Sequence, residues 1–378
     1  MNRREFNRSL AAAAGGLMFT SLGDAARAGA QSDLPASDQL EKEAGGLTDV
    51  GEIKVGHWTE KRRPTGCTVV LCERGAVCGV DVRGGAPGTR ETDLLRPINT
   101  VQQVYGIVLS GGSAYGLDTA SGVMRYLEEK GIGYKVGPVI TVPIVPAAIL
   151  IDLAIGDWKI RPTAESGYQA CQAATSGKIA EGNVGAGAGA TVGKMFGAEF
   201  AMKGGLGTAS VGAGKTGLTV AALVAVNALG DVCDPKTGAI IAGARAADGK
   251  GFRDAMAQIR AGYGVLASQG APMNTTLGIV ATNARLTKDQ ATKVAQMAHD
   301  GYARAINPTH TPADGDTIFA LATGALAARV EEGAVGALAA DVIAEAIVRA
   351  VMQAESIPGY PAYRDVKKYI AARSKILG

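Results

Sequence analysis

The chain has 378 residues, of which 47% are hydrophobic and only 5% aromatic, a size that holds one large core or two domains. Its formal net charge is +3 with both signs interspersed, so no basic block argues for nucleic acid or a membrane surface as partner. The 53 glycines imply tightly packed sheets with close backbone approaches, which excludes an open aromatic groove.

Residues 1–30 read as a twin-arginine export signal. Arg3-Arg4 is followed by Phe6, an apolar stretch from Leu10 to Phe19, and small-residue sites at Ala26-Arg27-Ala28 and Ala28-Gly29-Ala30. The apolar run is too short to span a bilayer of about 30 Å. The expectation is a periplasmic protein with no membrane contact once the signal is removed. Residues 31–46 read as a polar, disordered leader, and 47–378 as the folded domain.

Thr68–Leu71 and Ala76–Val82 flank Glu73-Arg74-Gly75, a pattern that predicts a hairpin. Ile107–Ser110 predicts a buried strand ending in Gly111-Gly112. Leu117–Glu129 then predicts a helix with Val123, Met124 and Leu127 on one side. Gly204–Gly207 makes a poor strand, whereas Leu218–Asn227 is a long apolar run that reads as one. Leu277–Thr282 and Thr317–Thr323 are further strands. Thr287 opens a helix whose Gln290, three residues on, completes a capping box. Ala339–Met352 is an amphipathic helix. These elements predict one α+β domain of packed sheets covered by helices.

Five cysteines without a C-x-x-C pair give neither a disulfide framework nor a zinc site. Three histidines, His57, His299 and His310, are too few for a histidine-rich metal centre. No cofactor or metal is expected.

Three motifs compete for the chemistry. Ala209–Thr216 approaches the phosphate-binding G-x-x-x-x-G-K-[ST] loop with Ala in the first glycine position. A glycine-rich turn between strands is the better reading, because Leu218 onward reads as strand and no helix follows. Leu109–Gly116 places Ser113 at a strand–turn–helix junction, as in a serine hydrolase, with Asp300 and His310 able to complete a triple. Tyr115, however, stands where that motif needs its second glycine.

The third motif is Asn274-Thr275-Thr276 ahead of an apolar strand, with Gln269–Pro272 upstream and Asp314-Gly315-Asp316 downstream. A threonine that becomes N-terminal by self-cleavage is both nucleophile and base. Its α-amine has an ordinary pKa of about 7.7–8.0, near working pH, so no histidine is needed. The same residues also fit plain β-propensity and a solvated turn.

Ordered segments decide between these readings. Gly66–Val70, Gly79–Leu94, Leu109–Leu117, Val142–Ala148, Gly189–Lys194, Lys203–Gly207, Ala225–Asp231 and Asn274–Leu277 resemble the L-aminopeptidase/D-esterase family. β-Aminopeptidases and nylon-oligomer hydrolases belong to that family. The resemblance runs from about residue 47 to the C-terminus. It implies a four-layer αββα sandwich, cut into two associated chains, 47–274 and 275–378. It also implies Thr275 as nucleophile and base, Asn227 as a donor near the developing oxyanion, Asp314 and Asp316 as the polar pair at the nucleophile, and Lys194 beside it. Lys203 is the weaker claimant for that lysine. The expected activity is an aminopeptidase or amidase acting on small peptides or amide oligomers, assembled as a homo-oligomer of two-chain protomers. An acyltransferase of the ornithine acetyltransferase type, a serine hydrolase using Ser113 and a P-loop nucleotide binder are the alternatives.

Overall fold

A computed structural model describes residues 45–248, 250–263 and 274–367. The described residues belong to the unit Glu43–Gly378. The expected export signal, and Gln269–Pro272 ahead of the expected cleavage point, lie outside them.

Nine strands form one hydrogen-bonded sheet: β1 (Lys54–Thr59), β2 (Gly66–Val82), β3 (Thr89–Arg90), β4 (Val104–Ser110), β5 (Ala147–Ile149), β6 (Gly205–Gly212), β7 (Thr219–Asn227), β8 (Thr275–Thr282) and β9 (Thr317–Ala322). Their order is β6-β7-β8-β9-β2-β4-β5-β3, with β1 on β2. The β8–β9 and β4–β5 pairs are parallel and the others antiparallel.

The hairpin expected around Glu73-Arg74-Gly75 does not form, because β2 runs through it as one 17-residue strand. Leu71 pairs with Gly106 and Ala76 with Val104, so the surplus residues are taken up as a bulge against β4. The N-terminal part of β2 pairs with β1 and β4, and Val77–Val82 pairs with β9. One strand thus joins the two halves of the sheet.

The α-helices among the described residues are α1 (Thr119–Glu129), α2 (Ala164–Gln172), α3 (Ala255–Arg260), α4 (Lys288–Ala305) and α5 (Glu332–Met352). Helix α4 opens at Thr287, whose N–H is accepted by Gln290 Oε1 at 3.0 Å, as the capping box predicts. Helix α5 begins about two turns before the predicted Ala339. Helices α1 and α2 bury Val123, Leu127 and Cys171 against Cys67, Val69 and Val108. Helices α4 and α5 bury Val294, Tyr302, Ile343 and Ile347 against Val224, Val280 and Ile318. A third cluster joins Val70, Ile107 and Leu109 of one half to Leu223, Leu277, Ile279 and Phe319 of the other.

Strand β6 corrects the expectation for Gly204–Gly207. Glycine is poor in a strand by propensity, yet a Cβ at Gly207 would stand 2.1 Å from the Ala346 carbonyl oxygen. The missing side chains let α5 lie directly on β6.

Candidate active site

Strands β7, β8 and β9 end together, and their ends carry the polar residues. Asn227, the last residue of β7, pairs with Thr275, the first of β8. Just ahead, Asn274 bridges Asp314 in parallel register: Asn274 N–H donates to the Ala313 carbonyl at 2.9 Å, and Gly315 N–H donates to the Asn274 carbonyl at 2.8 Å. The Thr275 hydroxyl also donates to the Asn274 carbonyl oxygen. The carbonyl of the Asn274–Thr275 peptide therefore carries two donors.

Alternation along β8 sends Leu277 and Ile279 between the sheet halves and Val280 toward the helices. A Cβ on Gly315 would lie 2.7 Å from Thr275 Oγ1 and 2.8 Å from the Ala86 carbonyl oxygen. The segment after β2 closes over this point, since Arg83 N–H and Ala86 N–H donate to the Asp316 and Asp314 carbonyls at 3.0 and 2.7 Å.

Asn227 is fully buried. Its Oδ1 accepts from Lys194 Nζ at 2.8 Å and from Thr191 N–H at 3.0 Å, and its Nδ2 donates to the Ile151 carbonyl at 3.1 Å. Lys194 Nζ also donates to the Asn227 main-chain carbonyl at 3.0 Å. This lysine is buried rather than solvated. Burial pushes its ammonium down to about 7, against the opposing pull of Asp314. Lys203 is spent differently, with Nζ donating to the carbonyls of Gly187, Ala190 and Gly204 at 2.8–3.1 Å. Three protons on three carbonyls make it a structural clamp.

The Asp314-Gly315-Asp316 turn is likewise buried, not solvated. Asp314 Oδ2 accepts from Thr311 N–H at 2.9 Å and from the Thr311 hydroxyl at 2.6 Å. Burial, and then the neighbouring Asp316, raise the Asp314 pKa, while Lys194 lowers it. Lys194 and Asp314 attract one another, yet both shift toward their neutral forms, because desolvation outweighs the attraction. Asp316 Oδ1 accepts from Thr276 N–H at 2.7 Å. Its Oδ2 accepts from the Thr309 hydroxyl at 3.1 Å, His310 N–H at 3.0 Å and His310 Nδ1 at 2.8 Å. His310 and Thr309 escaped the sequence reading as parts of this site. Their only signal was position, just ahead of the aspartate pair.

The competing motifs do not assemble. Ala209–Thr216 runs from β6 into a 3₁₀ turn at Gly214–Thr216 and on into β7, so no helix N-terminus meets it. Ser113 N–H donates to the Leu150 carbonyl at 3.0 Å. His310 Nδ1 is committed to Asp316, and Asp300 is exposed on α4, so neither completes a triple at Ser113.

Residues 45–364 match peptidase family S58. The chain belongs to this family. It is an amide hydrolase by that membership, and Thr275, Asn227 and the aspartate pair lie inside the matched region. An uncharacterized aminopeptidase of Mycobacterium tuberculosis is 45% identical over 350 residues, which cover 85% of this chain and 97% of the relative. The 6-aminohexanoate-oligomer endohydrolase of Kocuria sp. is 28% identical over 317 residues, 80% of this chain and 84% of the relative. Among solved structures, the Burkholderia sp. β-aminopeptidase superposes with a TM-score of 0.64 at 23% identity, covering 86% of this chain and 93% of that one. The L-aminopeptidase D-Ala-esterase/amidase of Ochrobactrum anthropi, described as a variant of the Ntn-hydrolase fold, gives 0.63 at 20% identity over 87% and 94%. The family S58 chain thus has a mixed α+β fold of Ntn-hydrolase type in a single domain.

Proposed function

We propose that this family S58 protein is a self-processing amide hydrolase whose nucleophile is Thr275. The observation that carries the reading is the Asn274–Thr275 peptide, whose carbonyl oxygen meets both the Thr275 hydroxyl and Gly315 N–H. In this reading the hydroxyl oxygen attacks the Asn274 carbonyl carbon and the C–N bond breaks. The acyl group passes to the threonine oxygen as the hydroxyl proton passes to the nitrogen. Water then hydrolyses the ester, leaving the Asn274 carboxyl on one chain and a free Thr275 amine on the other.

That amine serves as the base for its own hydroxyl in substrate cleavage. Substrate acyl transfer to Thr275 releases the amine product, and water releases the acid. Asn227 supplies a donor near the developing oxyanion from the second Nδ2 proton, the first being held by Ile151. Lys194 and Asp314 set the charge around the amine. Asp316 holds the threonine's own strand. The sheet halves and their helices form four layers, αββα, from which the two chains do not separate after the cut.

The substrate class is a small peptide or an amide oligomer. Relatives named as an aminopeptidase and as a 6-aminohexanoate-oligomer endohydrolase support both. Export to the periplasm by the Arg3-Arg4 signal and assembly into a homo-oligomer complete the reading. The test is intact mass combined with hydrolysis of three probes: L-alanine p-nitroanilide, β-alanine p-nitroanilide and a linear 6-aminohexanoate oligomer. An uncut chain that hydrolyses these at full rate overturns the proposal.

A further inference from the structure

We infer that His310 is a positioning residue for the nucleophile, acting through Asp316 on the first peptide of the chain that begins at Thr275. The inference rests on the proposed role of Thr275. Thr276 N–H belongs to the peptide joining Thr275 to Thr276, and Asp316 Oδ1 holds it at 2.7 Å. Before cleavage Thr275 is also tethered upstream, through the two hydrogen bonds of Asn274 with Ala313 and Gly315. Cutting the Asn274–Thr275 bond puts Asn274 on the other chain, so neither of its two hydrogen bonds constrains Thr275 any longer. The grip of Asp316 on Thr276 then becomes a principal constraint on a terminal residue that must be placed to a fraction of an ångström.

Asp316 is itself aimed by His310, which gives it both a main-chain N–H and Nδ1. A carboxylate oxygen accepts, so the proton of this contact sits on His310 Nδ1. Nε2 is buried and has no hydrogen-bond partner among the described residues. The residue also adopts a left-handed backbone, φ 56°. That conformation is uncommon for a non-glycine residue, although asparagine, aspartate and histidine adopt it several-fold more often than the others. Strain and an orphaned nitrogen are retained where the surroundings over-determine them, and such sites cluster around chemistry.

The surroundings do hold the ring. His299 packs edge-on against it with centroids 4.7 Å apart, and Tyr302 lies 5.8 Å away. His299 is kept neutral by burial, which pushes it down to about 4, and its Nε2 lies 3.1 Å from the Asp81 carbonyl oxygen. The ring of His310 is thereby walled on the helix side while Nδ1 faces Asp316.

The discriminating feature is which nitrogen matters. An asparagine at 310 places its amide nitrogen near the position of Nδ1 and tolerates the left-handed backbone. A glutamine reaches the position of Nε2 instead. Steady-state kinetics on the probe the parent cleaves best, using protein shown by mass to be cut at Thr275, separate these. His310→Ala and His310→Gln are expected to lose about 100-fold in kcat with KM within about twofold, the cost of misplacing a reacting group. His310→Asn is expected to stay within about tenfold of the parent. Equal kcat for Asn and Gln, or an unchanged kcat in His310→Ala, overturns the inference. Should the alanine variant not fold, the Asn–Gln comparison decides alone. Failure of the underlying reading is separate: Thr275→Ala would then keep the parent's turnover whatever His310 does.

Discussion

Asn227 faces Thr275 across the β7–β8 ladder, and its side-chain oxygen is held by the Lys194 ammonium at 2.8 Å. The neighbour of Thr275 is therefore locked by a buried cation, a main-chain N–H from Thr191 and the Ile151 carbonyl. Such a side chain moves little during reaction, and preorganised donors need no reorienting as charge develops. Asn227→Asp keeps the acceptor for Lys194 and Thr191 but removes the donor and adds a charge. It should fold, and turnover should fall by about 10²-fold or more, as for loss of one oxyanion donor. Parent-like kcat in a folded Asn227→Asp variant would remove Asn227 from the mechanism.

Thr275→Ala removes the hydroxyl invoked for both self-cleavage and turnover. It should leave one uncut chain and lower activity by at least about 10³-fold. Thr275→Ser should retain part of both. Ser113→Ala should remain active, because Ser113 has neither His310 nor Asp300 to activate it. Mass spectrometry and turnover on the same preparations check all three.

Gly315 tests the geometry without touching a polar side chain. An added Cβ would sit 2.7 Å from Thr275 Oγ1 and 2.8 Å from a main-chain oxygen of Ala86. Something must move, and the hydroxyl is one of two neighbours below 3 Å among the described residues. Gly315→Ala should slow self-cleavage and cut kcat by about 10²-fold. Cleavage followed by time-resolved mass, at the parent's rate, would show that the threonine has room to spare.

The strands that present the site were legible because their runs are apolar and bounded by glycine or asparagine: β7, β8 and β9 lie where Leu218–Asn227, Leu277–Thr282 and Thr317–Thr323 predicted them. Strand β6 was hidden, since a glycine chosen for helix contact looks like a turn residue. The β2 bulge was read as a reversal because a short Glu-Arg-Gly stretch signals either. Local sequence also could not separate a buried Asp-Gly-Asp from a solvated one, as burial there comes from the Arg83–Ala86 segment more than 200 residues away. Lys194 and Asn227 came from resemblance alone, their partnership being set by the fold. His310 was proposed for Ser113 and instead serves Asp316, six residues along the chain.

Asp231 offers a stability test on a residue outside the proposed catalytic set. Its carboxylate accepts Ala244 N–H and Ala255 N–H, each at 2.8 Å, with no cation beside it among these bonds. Burial raises its pKa from 3.8 to about 6 despite both bonds. The folded state then binds this proton more tightly than the unfolded one. Its contribution is complete below about pH 4 and is lost as pH rises through 6, a difference of about 3 kcal/mol at most. Denaturant unfolding of the parent and of Asp231→Asn at pH 4.5 and 7 should show the parent losing ground relative to the variant at the higher pH. Parallel stabilities would refute the shift.

The Thr275 amine that the proposed cleavage would free is sensitive to the charges around it. The amine must be neutral to act as base, so the acidic limb of the kcat/KM–pH profile reports its pKa. A nearby carboxylate favours the protonated amine and raises that pKa, and a nearby cation lowers it. Lys194 is pushed down to about 7, so it carries its charge over the part of the limb below neutrality. Lys194→Met removes this cation, so the amine holds its proton more tightly and the limb moves to higher pH. Asp314→Asn acts in the opposite sense. Because burial raises the Asp314 pKa, its carboxylate is ionised over less of the acidic range, and its shift should be the smaller of the two. The expected displacement for Lys194→Met is about one pH unit, equivalent to about 1.4 kcal/mol of interaction. Profiles should be recorded on chains verified as cut at Thr275, and at two salt concentrations. A buried pair is screened little, so the displacement should persist at about 1 M salt. Limbs that superimpose on the parent's would mean that neither side chain couples to the amine, and Lys194 would be left with the one role of holding Asn227.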